Sequence, residues 1–221
     1  MAAVWARPVQ LLYLSGITGE EYVARKAWRE ARLDTCPLHG GRACGLSRHG
    51  CYPRVKPAGI QVARYYCPAA HTTFSLLPDF LASRLSGELD EVERVVCQAE
   101  GARSVEAAAD KLRPEVELPG AVRWLRRRLG SVRVALLALV TLMPDVLGSE
   151  PRLSSLRKHL GSEHALVMLR RLGEKQLADL PAPIGFGFFH RAANTKRGQT
   201  ACPEPGKLPP AAAEERPGTK T

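Results

Sequence analysis

The sequence predicts an α+β fold that is mostly α, in which a small Cys/His-rich β-hairpin module precedes a run of helices. Three observations predict this fold. Four of the six cysteines crowd between Cys36 and Cys67, the stretch 88–142 has helical patterning, and the chain from about residue 192 is rich in Pro, Gly and Lys without apolar periodicity. We expect segments 1–33, 34–80, 81–143, 144–191 and a disordered tail at 192–221.

The N-terminal segments contain helix and hairpin signals in turn. Residues 1–17 are typical of an extended or irregular arm, and Thr18 is a good N-cap for a helix that continues to Arg32. The turn Pro57-Ala58-Gly59, followed by the apolar run 60–62, predicts a β-hairpin. The dense apolar set between residues 74 and 85 then predicts a core that joins the hairpin to the helices.

The stretch 88–142 predicts three helices. The first ends at Gly101, the second begins after Ser104 and stops at Pro114, and the third runs on to about Leu142. Two short helices followed by a long one are the layout of a helix-turn-helix unit. After Pro144 the pattern favours one or two amphipathic helices between residues 152 and 180.

Composition limits the class of partner and the compartment. The chain has 221 residues, 45% of them apolar, and 32 Lys and Arg against 22 Asp and Glu, which gives a net charge of +10. This balance favours a polyanionic partner such as nucleic acid. The longest apolar run, 134–143, is about half of the roughly 20 residues that a membrane span needs, and the N-terminus lacks signal-peptide features. We therefore expect a soluble cytoplasmic protein without membrane contact.

Two short motifs predict a metal site. Cys36 and His39 form a C-x2-H pair, and Cys67 and His71 form a C-x3-H pair on the other side of the hairpin. Four thiolate and imidazole ligands make a closed tetrahedral Zn²⁺ site, which is structural rather than catalytic. Cys44, His49 or Cys51 could replace His39, with Cys44 the strongest rival. The alternatives are buried free cysteines without metal, or a hydrolytic zinc site, which the lack of acidic residues between Cys36 and Cys67 disfavours.

The third helix carries a dense set of arginines. Because Arg123, Arg126 and Arg127 are spaced at i, i+3 and i+4, they share one surface that could meet phosphates and base edges. The alternative is a solvated cationic face on a helix that only packs against its neighbours. Trp124 is better explained as a core anchor than as a base-stacking residue. The candidate DNA-binding residues, on this helix and on the hairpin, are Arg123, Arg126, Arg127, Arg128, Arg133, Arg54, Lys56 and Arg64.

These motifs together resemble a known family. The runs CPLH, CGLSRHGCYPRVKP, VARYYCPAAHTTFSLLPDFLA, SVEAAADKL and AVRWLRRRL resemble the N-terminal region of bacterial insertion-sequence transposases and their stand-alone relatives, over about residues 33–142. The resemblance implies a zinc ribbon in which Cys36 and Cys67 bind zinc with their knuckle partners. It also implies a helix-turn-helix whose third helix contacts DNA ends. The ribbons of that family usually have a second cysteine in each knuckle, where this chain has His39 and His71.

The resemblance does not extend to catalysis. The transposase catalytic domain is an RNase H-like fold with three metal-binding acids, and the residues after Met143 show no run of strands that could carry them. We therefore expect a non-catalytic, transposase-type DNA-binding protein with Zn²⁺ as cofactor. A protein partner or a homo-oligomer is a further candidate. The alternative is a regulatory zinc-ribbon module that docks a partner protein through the helices at 152–180.

Overall fold

The computed structural model describes residues 9–187, which form a four-stranded mixed sheet and seven helices. The predicted α+β class, mostly α, is thereby confirmed. The predicted disordered tail, 192–221, and the first eight residues of the predicted arm lie outside the described residues. The strands are β1 (Val9–Tyr13), β2 (Ser47–Pro53), β3 (Gln61–Cys67) and β4 (Thr72–Pro78). The helices are α1 (Gly19–Ala24), α2 (Leu89–Glu100), α3 (Val105–Leu112), α4 (Leu118–Leu142), α5 (Pro144–Leu147), α6 (Leu153–Leu160) and α7 (Ala165–Leu172).

The sheet has the order β1-β4-β3-β2. β2, β3 and β4 are antiparallel neighbours, so the predicted hairpin is present, and β1 pairs with β4 in parallel. Two strands differ from the expectation. Part of the arm predicted as extended or irregular is β1, a paired strand, and Thr72–Pro78 is a strand whose residues are buried on both sides. Central strands without alternating polarity cannot be distinguished from buried helix by periodicity.

The two faces of the sheet bury different cores. One face, which includes Val62 and Leu77, packs against α2, α4, α6 and α7 in the main core. The other face presents Ala63, Tyr65 and Cys67 of β3 to a smaller core. Because alternate residues of a strand point to the same side, Cys67 is held on the smaller core's face by the register of β3.

The predicted N-terminal helix is shorter than expected. Thr18 accepts a hydrogen bond from the Glu21 N–H, and Glu21 accepts one from the Thr18 N–H, so the capping box is present. The helix nevertheless stops at Ala24, because Lys26 adopts a left-handed conformation, and a 3₁₀ turn follows at Ala27–Arg29. The three predicted helices between residues 88 and 142 are confirmed as α2, α3 and α4.

Carboxylates of α2 hold the two C-terminal helices in place. Glu100 accepts hydrogen bonds from the backbone N–H groups of Leu153 and Ser154 at the start of α6. Glu93, which is 2% exposed, accepts from the N–H groups of Ala165 and Leu166 at the start of α7. Negative charge at a helix N-terminus satisfies the unpaired donors there and interacts favourably with the helix dipole. In the part of the chain that the structure describes, no helix is long and apolar enough to cross a membrane.

Candidate metal centre

A compact group of thiols and one imidazole lies beside the smaller core. We call it the Cys/His cluster, and it consists of Cys36, His39, Cys44 and Cys67. Their ligand atoms all lie within 4.8 Å of one another, and Cys36 and Cys67 are almost fully buried. The structure thus brings together three of the four predicted ligands and adds Cys44.

A tight turn brings His39 back onto Cys36. The Cys36 carbonyl accepts hydrogen bonds from the N–H groups of His39, at 3.2 Å, and Gly40, at 2.9 Å. Gly40 has a φ of 57°, a left-handed conformation that glycine adopts without strain. As a result, His39 Nδ1 lies 3.3 Å from Cys36 Sγ and 3.5 Å from Cys67 Sγ.

The two separations from His39 Nδ1 are those of ligands that share one tetrahedral metal ion. With bonds of about 2.3 Å to sulfur and about 2.0 Å to nitrogen, two such ligands on one zinc lie about 3.5 Å apart. The two distances from His39 Nδ1 match that value. Three soft thiols with one imidazole are also a donor set that suits Zn²⁺ better than Mg²⁺ or Ca²⁺, which prefer oxygen.

Cys44 reaches the cluster from the loop before β2. Its neighbour Gly45 has a φ of 71°, and a Cβ atom there would lie 2.8 Å from Cγ of Pro68. The loop can therefore approach the turn after β3 closely only because residue 45 lacks a side chain. Cys44 was expected to compete with His39 for one ligand position, but it lies beside His39 in the same cluster. The Cys-Gly pair in the sequence is the signal that could have identified it.

His71 is placed outside the Cys/His cluster. It ends the turn between β3 and β4 with a φ of 48°, is exposed, and its Nδ1 lies 3.2 Å from the Tyr66 hydroxyl oxygen. Since Cys67 pairs with Thr72 across the hairpin, the turn residues lie beyond the end of the ladder. The predicted ligand set thus differs from the observed group at this position, where Cys44 takes the place of His71.

Hydrogen bonds prepare Cys36 to act as a thiolate. Burial raises the pKa of its thiol, but hydrogen bonds from the His39 side chain and from the backbone N–H groups of Leu38 and His39 outweigh burial and bring the pKa to about 6. Burial raises the pKa of the Cys44 thiol, and the neighbouring thiols of Cys67 and Cys36 add to this. A divalent cation in the cluster would favour the thiolate form of each, since only thiolates act as ligands.

The surrounding residues hold the cluster against the sheet. The Tyr65 hydroxyl donates to the Ala31 carbonyl at 3.1 Å, and the Arg48 guanidinium donates to the carbonyls of Trp28, Arg29 and Ala31. These bonds fix the chain just before Cys36 to β2 and β3. Arg48, an arginine of β2, therefore uses its guanidinium for contacts within the fold.

The candidate DNA-binding arginines of α4 divide into two groups. Arg123, Arg126, Arg127 and Arg133 are exposed, as their spacing predicted, although Arg126 forms an ion pair with Glu106 at 3.1 Å. Arg128 is only 6% exposed. Its guanidinium donates to the Ser86 carbonyl at 3.0 Å and lies 4.3 Å from the ring centroid of Trp124. Arg128 therefore supports packing and is not available to a nucleic acid.

The candidate cations of the hairpin also differ in their contacts and in their exposure to solvent. Arg54 donates to the carbonyls of Ala82 and Leu85, so it links the hairpin to the main core. Arg64 is half-buried, with its guanidinium 5.9 Å from the ring centroid of Tyr52. Lys56 is exposed, and it lines a cleft rich in carboxylates. Compared with the exposed arginines of α4, the hairpin offers a weaker cationic surface.

Comparison of the chain with models of protein families, with curated proteins and with solved structures found no match.

Proposed function

We propose that this protein is a non-catalytic DNA-binding protein of transposase type, built on a zinc-ribbon module at 34–80 and a helix-turn-helix at 81–143. Zn²⁺ bound by Cys36, His39, Cys44 and Cys67 stabilises the ribbon. The observation that carries the proposal is the convergence of these four ligand atoms within 4.8 Å. A set of four protein ligands leaves no open position for substrate, which favours a structural ion.

The arrangement of α2, α3 and α4 supports the helix-turn-helix interpretation. The first half of α4 packs on the other two helices through a small core made of Val95, Ala108, Ala109, Ala121, Val122 and Leu125. The opposite side of that half of α4 presents Arg123 and Arg127 to solvent. A third helix that is buried on one side and cationic on the other suits insertion in a major groove.

Phosphate neutralisation supplies most of the affinity in this proposal. Arg123, Arg127 and Arg133 are exposed without an ion-pair partner among the described residues, and the whole chain carries a net charge of +10. Binding by such residues weakens steeply with salt, since each phosphate contact releases condensed counterions. Readout of base edges by one or two of these arginines is the source of sequence preference.

The first experiment measures metal content. Zinc in the purified full-length protein is expected at one equivalent per chain by atomic emission, and chelation is expected to remove thermal stability from the module. Protein without metal that keeps its melting temperature after chelator treatment would overturn the zinc part of the proposal.

The second experiment measures DNA binding. Arg127→Glu with Arg133→Glu is expected to abolish binding to duplex DNA at moderate salt, whereas Arg152→Glu, an exposed control outside α4, keeps most of it. At low salt, where the residual binding of the variant is measurable, loss of two phosphate contacts should reduce the slope of log K against log salt by about 2. Equal binding by both variants, or a wild type that binds no DNA at low salt, would refute the proposal and favour the alternative, a module that docks a partner protein.

A further inference from the structure

A large cavity in the described residues is separate from the Cys/His cluster and from α4. It is a cleft of about 1280 Å³ between α1, the turn joining β2 to β3, the start of α2, and α7. We call it the α1–α7 cleft. Part of its wall is apolar and is formed by Ile17, Val23, Ile60, Phe80, Val167 and Met168. A concave apolar wall with a few convergent polar groups is the usual form of a ligand site.

The charges in the α1–α7 cleft are opposite in sign to those of the chain as a whole. Six carboxylates line it, against the cations Lys56 and Arg171 and the imidazole of His164. The carboxylates belong to Glu20, Glu21, Asp79, Glu88, Asp90 and Glu91. In a protein of net charge +10 this concentration of negative charge creates a local field that attracts cations and repels anions.

Three of the six carboxylates have partners within the fold. Asp79 accepts hydrogen bonds from Ser15 and pairs with Arg171 at 3.3 Å. Asp90 lies 2.9 Å from Nδ1 of His164, and Glu21 lies 3.6 Å from Arg25. The contacts of Asp79 and Asp90 join separate parts of the cleft wall, whereas the Glu21–Arg25 pair lies within one short segment of the chain.

Glu20, Glu88 and Glu91 have no ion-pair partner within 4 Å in the described part of the chain. Glu88 is half-buried, and its carboxylate approaches α1 so closely that a Cβ atom on Gly19 would lie 2.0 Å from Glu88 Oε1. Burial raises the pKa of Glu88, and the charges of Asp90, Glu91 and Glu20 raise it further. The fold thus places mutually repelling carboxylates beside an apolar wall, an arrangement that a bound cation would relieve.

We propose that the α1–α7 cleft binds an organic cation, an aliphatic chain that ends in an ammonium or guanidinium group. Glu20, Glu88 and Glu91 hold the charged end of the ligand. The apolar wall, which includes Phe80 and Met168, covers the aliphatic part of the ligand. This chemistry is shared by free polyamines and by the lysine and arginine side chains of a peptide, in which an apolar stem carries a charged head. The cleft has room for either source.

Titration calorimetry of the full-length protein tests the proposal with four probes. They are spermidine, the capped peptide acetyl-Leu-Lys-Leu-Arg-amide, hexanoate and MgCl₂. Saturable binding of spermidine alone identifies a free amine as the ligand, binding of the peptide alone identifies a partner's side chains, and binding of both supports the shared chemistry. Binding of neither, or of hexanoate or Mg²⁺ in preference, overturns the proposal.

Two variants locate the binding. Glu88→Gln with Glu91→Gln is expected to weaken binding of the cationic probe at least about tenfold, which corresponds to about 1.4 kcal/mol. The substitutions remove repulsion between like charges but also an acidic residue from the first turn of α2, so a melting curve checks that the variant is folded at the assay temperature. Glu150→Gln, an exposed glutamate outside the cleft, is the matched control and keeps wild-type affinity. Equal affinity in both variants would place the binding elsewhere and refute the assignment.

Discussion

Arg170 offers a sharp test of how the fold is held together. Its side chain is fully buried, and its guanidinium donates to four backbone carbonyls at 2.5 to 2.9 Å. Two of these carbonyls, Asp79 and Leu81, follow β4, and the other two, Pro183 and Ile184, lie in the segment after α7. A single side chain therefore joins the end of the sheet to the C-terminal part of the described chain.

The cost of losing Arg170 follows from those carbonyls. Pro183 has a second donor, the Ser83 N–H, so Arg170→Met leaves three buried carbonyls without their partner. Each unsatisfied group costs about 1–3 kcal/mol, while removal of a buried charge returns part of its desolvation penalty. We expect a net loss of about 3–5 kcal/mol in the free energy of unfolding.

Urea denaturation followed by circular dichroism measures this loss. Arg171→Met is the control at the neighbouring position, because Arg171 is 58% exposed and, among the described residues, its side chain pairs only with Asp79. The Asp79 carboxylate is buried but keeps its hydrogen bonds from Ser15, so loss of this half-exposed pair should cost about 1–2 kcal/mol and shift the midpoint less than Arg170→Met does. If the two variants shift the midpoint equally, the reasoning from buried carbonyls is refuted.

Two further predictions concern the metal centre and pH. Cys44→Ser is expected to lower zinc affinity by more than tenfold in a chelator competition, whereas His71→Ala leaves zinc affinity unchanged. A larger loss of affinity in His71→Ala than in Cys44→Ser would favour the ligand set expected from the motifs, which includes His71. The hydrogen bond to Asp90, together with its charge, raises the pKa of His164 above 6.5, which an NMR titration of the imidazole should show. Because the folded-state pKa is raised, this pair stabilises the protein fully below the ordinary histidine pKa, and the stabilisation fades as pH rises through the folded-state value. Asp90→Asn should return the midpoint toward 6.5, and an unchanged midpoint would contradict the assignment.

Local chemistry predicted much of the fold. Thr18, Gly101, Ser104 and Pro114 mark helix ends because capping and backbone restriction act within a few residues. The strand β4 was harder to predict, since its apolar residues are buried on both faces and leave no alternation to detect. β4 lies between β1 and β3 in the sheet, and its partner β1 comes from a distant part of the sequence, so local pattern could not identify it as a central strand.

The residues of the Cys/His cluster were also predicted only in part from the sequence, because tertiary structure decides which side chains join it. Cys36 and Cys67 were predicted because a cysteine followed by proline at both ends of a hairpin is a local signal. Whether Cys44 or His71 joins them depends on where the β3–β4 ladder ends, which is a property of register. Arg128 is a similar case, because the burial of one arginine among several neighbours on α4 is decided by the elements that pack against it.

The capping of α6 and α7 by α2 has a practical consequence for dissecting this protein. A fragment that stops at Met143 would keep Glu93 and Glu100 but lose the four backbone donors that those carboxylates serve. Such a truncation would leave these carboxylates without their partners on an uncovered apolar surface, and the fragment would be prone to aggregate. Fragments intended for isolated study should therefore extend through Phe186, whose backbone carbonyl accepts a hydrogen bond from Arg84.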